Sequence, residues 1–262
     1  MLCRPGPRTG DLFLGSRLTR PAPLLDTWGV RIAAVGLGLL LLLLASEADA
    51  QQSLFNAPAG HRTHEGGFFA QEQLNLARSG ESNLTLDYGI GAGFEAGINV
   101  FHVDVYSDGE AGSARDLVMA NAVLTRPLSS WLAWQVGGQM GGGRHGSDWD
   151  HVGFGWPLLE ASGFHEHVEL VAGGYAADRD YLGPGSLGGG LVGVEIVLVH
   201  QWLDLQADWI LGTNEASVAV AGLCLFLPRG WQIAAGVQLP SPGSDNHFGA
   251  VVELTRTPLV HP

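Results

Sequence analysis

The chain has 262 residues, 46% of them hydrophobic and 15% charged, with 13 arginines and no lysine set against 26 acidic residues. This excludes a disordered chain, which needs low hydrophobicity and many charges, and the 39 glycines follow no strict period, which excludes collagen. A net charge of -13 argues against a nucleic-acid partner, because phosphate contacts need clustered basic side chains.

The first element in chain order is a leader. Arg31 precedes an apolar run from Ile32 to Ala45, and Ala48-Asp49-Ala50 follows as a small-x-small cleavage pattern, so residues 1–50 read as a signal peptide. The run is too short to span a bilayer comfortably, and Glu47 and Asp49 close it. Residues 1–29 have no apolar period, while Val30-Arg31 stands where a short positive n-region belongs, so translation is expected to start at Val30. Cleavage after Ala50 leaves Cys224 as the single cysteine, without an intramolecular disulfide, and leaves 8 arginines against 22 acids.

An N-terminal segment, 51–65, leads into a region whose apolar residues alternate with polar ones. In Trp202-Leu203-Asp204-Leu205-Gln206-Ala207-Asp208-Trp209, Leu and Ala share one face while Asp204, Gln206 and Asp208 share the other. The same period recurs in Leu84-Thr85-Leu86-Asp87-Tyr88, in Phe94-Glu95-Ala96-Gly97-Ile98-Asn99-Val100 and in Trp231-Gln232-Ile233-Ala234. Laying strands between turn signals predicts about twelve: 66–77, 82–90, 94–105, 116–126, 131–141, 152–159, 164–176, 187–199, 202–212, 217–227, 231–239 and 247–256.

Joints after even-numbered strands are tight, as at Gly91-Ala92-Gly93, Glu160 to Gly163, His200-Gln201 and Pro228-Arg229-Gly230. Those after odd-numbered strands are mostly long and polar, as at Ser107 to Arg115, Gly142 to His151 and Ala177 to Ser186. Short turns on one rim and long loops on the other describe an outer-membrane barrel. Phe94, Trp131, Phe164, Trp202 and Trp231 each open the strand after a tight turn, as an interfacial girdle would. The expected fold is therefore all-β, an antiparallel transmembrane β-barrel of about 12 strands (10 to 14 admissible) over residues 66–256, monomeric, with a tail at 257–262. A soluble β-sandwich is the competing architecture, but it seldom backs an apolar face with an acidic, glycine-rich one on nearly every strand.

Leu84-Thr85-Leu86-Asp87-Tyr88-Gly89-Ile90-Gly91-Ala92-Gly93-Phe94-Glu95-Ala96-Gly97 resembles the strand-turn-strand signature of the outer-membrane family named for the meta-pathway of phenol degradation. Ala235-Gly236-Val237-Gln238-Leu239 through Gly249-Ala250-Val251-Val252-Glu253-Leu254 is similar to that family's last hairpin. The resemblance covers about a quarter of the mature chain and implies a membrane barrel engaged in channelling or transport, uncharged aromatic compounds included.

Three local patterns carry chemistry of their own. Gly91-Ala92-Gly93-Phe94-Glu95-Ala96 matches a dinucleotide fingerprint in letters, but a period-two strand follows where a helix is required, so it reads as a hairpin turn. His165-Glu166-His167 has spacing workable for a metal, yet solvated polar positions near a turn, with His167 and Glu169 facing the lumen, explain it equally, and no metal or other cofactor is expected. Arg144-His145-Gly146-Ser147-Asp148-Trp149-Asp150 holds a His-x-Ser with nearby acids, which resembles the outer-membrane lipid A deacylases, but it sits in a stretch rich in glycine.

The lumen-lining candidates are Asp87, Glu95, Glu169, Glu195, Asp204, Gln206, Asp208, Gln232, Gln238 and Glu253, joined by Gln135 and Gln139 and by no mid-strand arginine. Such a lining favours cations if the lumen is open and serves as hydrogen-bonded filling if it is plugged. The expected function is a channel or transporter for small molecules in the outer membrane of a diderm bacterium rather than an enzyme, with membrane lipid and the barrel-insertion machinery as partners. A structural barrel and a surface lipid hydrolase acting through Ser147 are the alternatives.

Overall fold

The computed structural model describes residues 54–58, 63–106, 116–145, 148–164 and 167–258. The leader, the Val30 start, Ser147 and His165-Glu166 lie outside the described residues. Twelve strands form one closed antiparallel barrel: β1 (Phe68–Leu76), β2 (Gly80–Gly91), β3 (Phe94–Tyr106), β4 (Leu117–Pro127), β5 (Leu132–His145), β6 (Asp148–Gly163), β7 (Val168–Ala177), β8 (Gly188–Val199), β9 (Leu203–Ile210), β10 (Val218–Leu227), β11 (Trp231–Pro240) and β12 (Gly249–Arg256). Each pairs with its neighbours in sequence, and β1 pairs with β12, so no edge is left exposed.

Period-two alternation gives each strand two different faces, and the register aligns like faces around the wall. Gln73 stands opposite Glu253, Glu253 opposite Ala234, Ala234 opposite Cys224 and Cys224 opposite Asp204, all pointing inward. The neighbouring outward positions carry Ile98, Val136, Leu159, Leu170, Leu223, Ile233 and Val237, all exposed. Glu72 is an exception, an outward carboxylate beside Leu254 that accepts a hydrogen bond from the Ser82 hydroxyl on the same face.

Joints after even strands are short, as expected. The β2–β3 turn strings together Gly91, Ala92 and Gly93 at φ of 108°, 51° and 71°, a left-handed path that glycine makes accessible. Pro228–Gly230 closes β10 to β11 as a single 3-10 turn, and Thr257 binds its Gly230 carbonyl through backbone N–H and hydroxyl. Phe94, Trp131, Phe164 and Trp202 are exposed on this rim.

Two joints depart from the expected pattern around β6. Gly142 to His145 and Asp148 to His151 are ladder rather than loop, with Gly142 opposite His151 and Gly143 opposite Asp150, because small residues let the two strands run on together. Glu160 to Gly163 is likewise strand; Phe164 follows it at φ 50°, and β7 begins only at Val168. The long β7–β8 joint contains one helical turn, α1 (Arg179–Leu182), packed against β6.

Candidate binding site in the lumen

The barrel interior is filled unequally. Residues 54–58 lie inside it, along the wall made by β8 to β12. Leu54 N–H donates to the Ala57 carbonyl at 3.0 Å, folding the segment into a compact turn, and Leu54, Phe55 and Ala57 are buried. Phe55 belongs to one apolar cluster with Val218, Val220, Cys224, Ala234 and Val251, and Leu54 to another that includes Leu191, Ile210 and the α1 residue Leu182.

Two glycines make room for this. A Cβ on Gly193 would stand 2.2 Å from Leu54 Cδ1, and one on Gly236 would stand 2.8 Å from Phe55 Cζ, so any side chain there collides with the segment. Asp208 then fixes it: its carboxylate accepts the backbone N–H of Ala57 at 2.8 Å and that of Asn56, while the Asn56 side-chain oxygen Oδ1 accepts from Gln73 Nε2 at 3.1 Å. Further along, Thr63 N–H donates to the Glu95 carboxylate at 2.9 Å before the chain enters β1. Charge-assisted bonds of this kind are roughly twice as strong as neutral ones.

Opposite this segment, a cavity of about 360 Å³ remains, bounded mostly by β1 to β6, with Leu191, Ile210, Val218 and Gln238 of β8 to β11 also reaching it, by Phe55 and Asn56, and by Tyr181 of α1. It reaches the long-loop rim at Ser79, Glu215 and His247 and descends to Glu95 and Gln135. A row of amides crosses its wall. Asn121 Nδ2 donates to Asp87 Oδ1 at 2.8 Å and to Asn99 Oδ1 at 3.0 Å, Asn99 Nδ2 donates to Gln139 Oε1, and Gln139 Nε2 donates to the Tyr181 hydroxyl at 3.2 Å. Beside the row, Phe154 packs on Trp156 and Tyr181 with ring centroids 5.3 Å apart in both pairs, and Trp156 Nε1 donates to Gln135 Oε1 at 3.2 Å. On the β2–β3 side His102 Nδ1 lies 3.0 Å from a Glu81 oxygen.

The residues singled out from the sequence all sit on the inner face, but they divide between the two sides. Asp87, Glu95 and Gln238 line the cavity. Glu169, Asp204, Gln206, Asp208, Gln232 and Glu253 are buried on the other side, where Glu169 stands opposite Glu195 and Glu195 opposite Gln206, whose Nε2 donates to it at 3.3 Å. Among the described residues no three His, Cys, Asp or Glu side chains converge to hold a metal ion.

No family model matches the sequence, and no curated protein matches it either. Among solved structures, LpxR from Salmonella typhimurium aligns with 72% of this chain and 99% of its own, at a TM-score of 0.41 and 8% identity.

Two parts of the site escaped sequence reasoning. Residues 54–58 carry only the pair Leu54-Phe55 as a sign of burial, too short for a period to register. The cavity amides Gln71, Gln73, Asn99 and Asn121 do alternate with apolar residues in their strands, a signal equal in kind to that of the acids.

Proposed function

We propose that this protein is an outer-membrane β-barrel that takes small polar molecules into its lumen from the long-loop side and is held closed by its own N-terminal segment. What carries the reading is the polar cavity inside a closed barrel whose outward face is apolar. Closure pairs each strand with a neighbour on both sides, as a span through lipid requires. The hairpins resembling the phenol meta-pathway family support a transport role, and the leader supports export to the outer membrane.

In planar bilayers the full-length mature protein should show small, intermittent conductance, and removal of residues 51–58 should make it large and steady. The lumen exposed by that removal carries Glu195, Asp204 and Asp208 without an inward arginine beside them, so currents should favour cations, most clearly at low salt where the screening length exceeds about 10 Å. Asp204→Asn with Asp208→Asn should reduce that preference. Anion preference would contradict the lining, and absence of conductance in both forms would leave a structural barrel.

A further inference from the structure

The chemistry of the cavity wall narrows what it can hold. Among the described residues bounding it there is no arginine, and its basic side chains are His102 and His247, so an anionic ligand meets no permanently charged partner among them. The carboxylates that reach the cavity interior are engaged: Asp87 accepts from Asn121, Glu95 from the Thr63 backbone, and Glu81 pairs with His102. A cationic ligand would therefore share each of them with a protein donor already in place.

The amide row ends in two unused groups of opposite kind. Both Nδ2 hydrogens of Asn121 are spent on Asp87 and Asn99, and its Oδ1, on a side chain more than nine-tenths buried, accepts nothing. At the far end Tyr181 Oη accepts from Gln139 and retains its own O–H to donate. One group asks for a donor and the other for an acceptor. An ammonium only donates and a carboxylate or phosphate only accepts, whereas hydroxyl groups do both. Phe154 and Trp156 beside the row, tilted 42° to one another, add an apolar aromatic surface against which a ring can lie. The volume, 360 Å³, is at the small end of the range of about 300 to 1,000 Å³ for small-molecule pockets.

We propose that the lumen cavity is a carbohydrate site, taking a neutral polyhydroxylated ligand of one or two rings that lies on Phe154 and Trp156 and bonds Asn121 Oδ1 and the Tyr181 hydroxyl. This rests on the reading of the lumen as a small-molecule site and names its ligand class.

Calorimetric titration of the folded mature protein in detergent with glucose, maltose and cellobiose, and separately with choline and gluconate, tests it. At least one neutral sugar should bind saturably and both charged probes should not. Tyr181→Phe, which keeps the ring and removes only the hydroxyl, and Asn121→Leu should each weaken binding about tenfold or more, since either leaves a ligand hydroxyl unpaired. Heat-shifted gel mobility identifies variants that retain the barrel, and Tyr181→Phe serves if Asn121→Leu does not fold. Binding of choline or gluconate with the sugars silent overturns the proposal, as does sugar binding indifferent to Tyr181→Phe, and as does failure of all three sugars to bind. Conductance of the same preparation separates the two levels: if it persists while no sugar binds, the carbohydrate assignment falls and the channel stands; if it is absent while sugar binds, the reverse holds.

Discussion

The lumen has two walls built by the same rule and finished differently. Along β8 to β12 the inward residues are covered by residues 54–58, with glycine at the points of closest approach and Asp208 bonding the backbone of Asn56 and Ala57. Along β1 to β5 the inward residues face an unfilled cavity and bond mainly to one another. Acids dominate the covered wall and amides the open one. A carboxylate is a strong acceptor for backbone N–H groups arriving from a polypeptide, and it suits a wall whose partner is always the same piece of chain. An amide both donates and accepts, so it can satisfy its neighbours and still meet a ligand that comes and goes.

Removing residues 51–58 should erase the distinction and gives the largest expected effect. Conductance in bilayers should rise on the order of tenfold or more, since each 1.4 kcal/mol of lost closure shifts an open-closed ratio by about tenfold. Gly193→Leu should act in the same direction with the segment still attached, because its Cβ alone would come within 2.2 Å of Leu54 Cδ1. If neither change alters conductance, the segment does not close the path.

The two walls share one outer surface, so the outside should not distinguish them. Leu205→Arg places a charge on the lipid side and should cost about 2 to 4 kcal/mol if it lies near the bilayer midplane. Gln71→Arg places the same charge in the cavity on the open wall, where water and polar groups receive it. Heat-modifiable gel mobility after refolding into vesicles should show far less folded Leu205→Arg than Gln71→Arg. Equal yields would mean that the facing has been assigned wrongly.

A smaller effect is expected from Asp208→Ala, which removes the acceptor for two backbone N–H groups and does not itself line the cavity. The lost bonds are worth roughly 1 to 3 kcal/mol, so open time in single-channel records should lengthen by about tenfold while sugar affinity falls by less, since Asn56 borders the cavity but neither Asn121 nor Tyr181 lies on the segment. A loss of sugar affinity equal to the gain in opening would show that the two walls are coupled.

Strand number and the antiparallel barrel were legible in the sequence because a period of two is a local property that each strand carries by itself. Asp204, Gln206 and Asp208 could be placed on one face from the eight residues Trp202 to Trp209. What covered them could not be read, because Leu54-Phe55 meets Gly193 and Gly236 across more than a hundred residues of chain, and no local signal links them. The ends of β5 and β6 were lost for a related reason. Gly141-Gly142-Gly143 reads as loop by propensity, yet the long ladder through Arg144–Trp149 and His145–Asp148 overrides that preference once the partner strand is alongside. The acids attracted attention over the amides because charge is conspicuous in a sequence, although the open wall is mostly amide.

The open wall has a partial cover of its own in α1, and the last prediction concerns how firmly it sits. Tyr181 projects from that turn onto Phe101 and Phe154, and burial pushes its phenol up to about 12, with the hydrogen bond from Gln139 acting in the opposite sense. A tyrosine released into water ionises near about 10. The docked state thus holds its proton more tightly than the released one, so docking is at full strength below about pH 10 and is lost as pH rises toward 12. Phenolate absorbance of the wild-type protein minus that of Tyr181→Phe isolates this one group from the other tyrosines, and the difference should rise well above pH 10 while heat-modifiable mobility is retained. A midpoint near 10 in the intact barrel would mean that α1 stands away from the wall. The cavity would then lack its Tyr181 side, the amide row would end at Gln139, and the covered and open walls would differ more than the docked turn suggests.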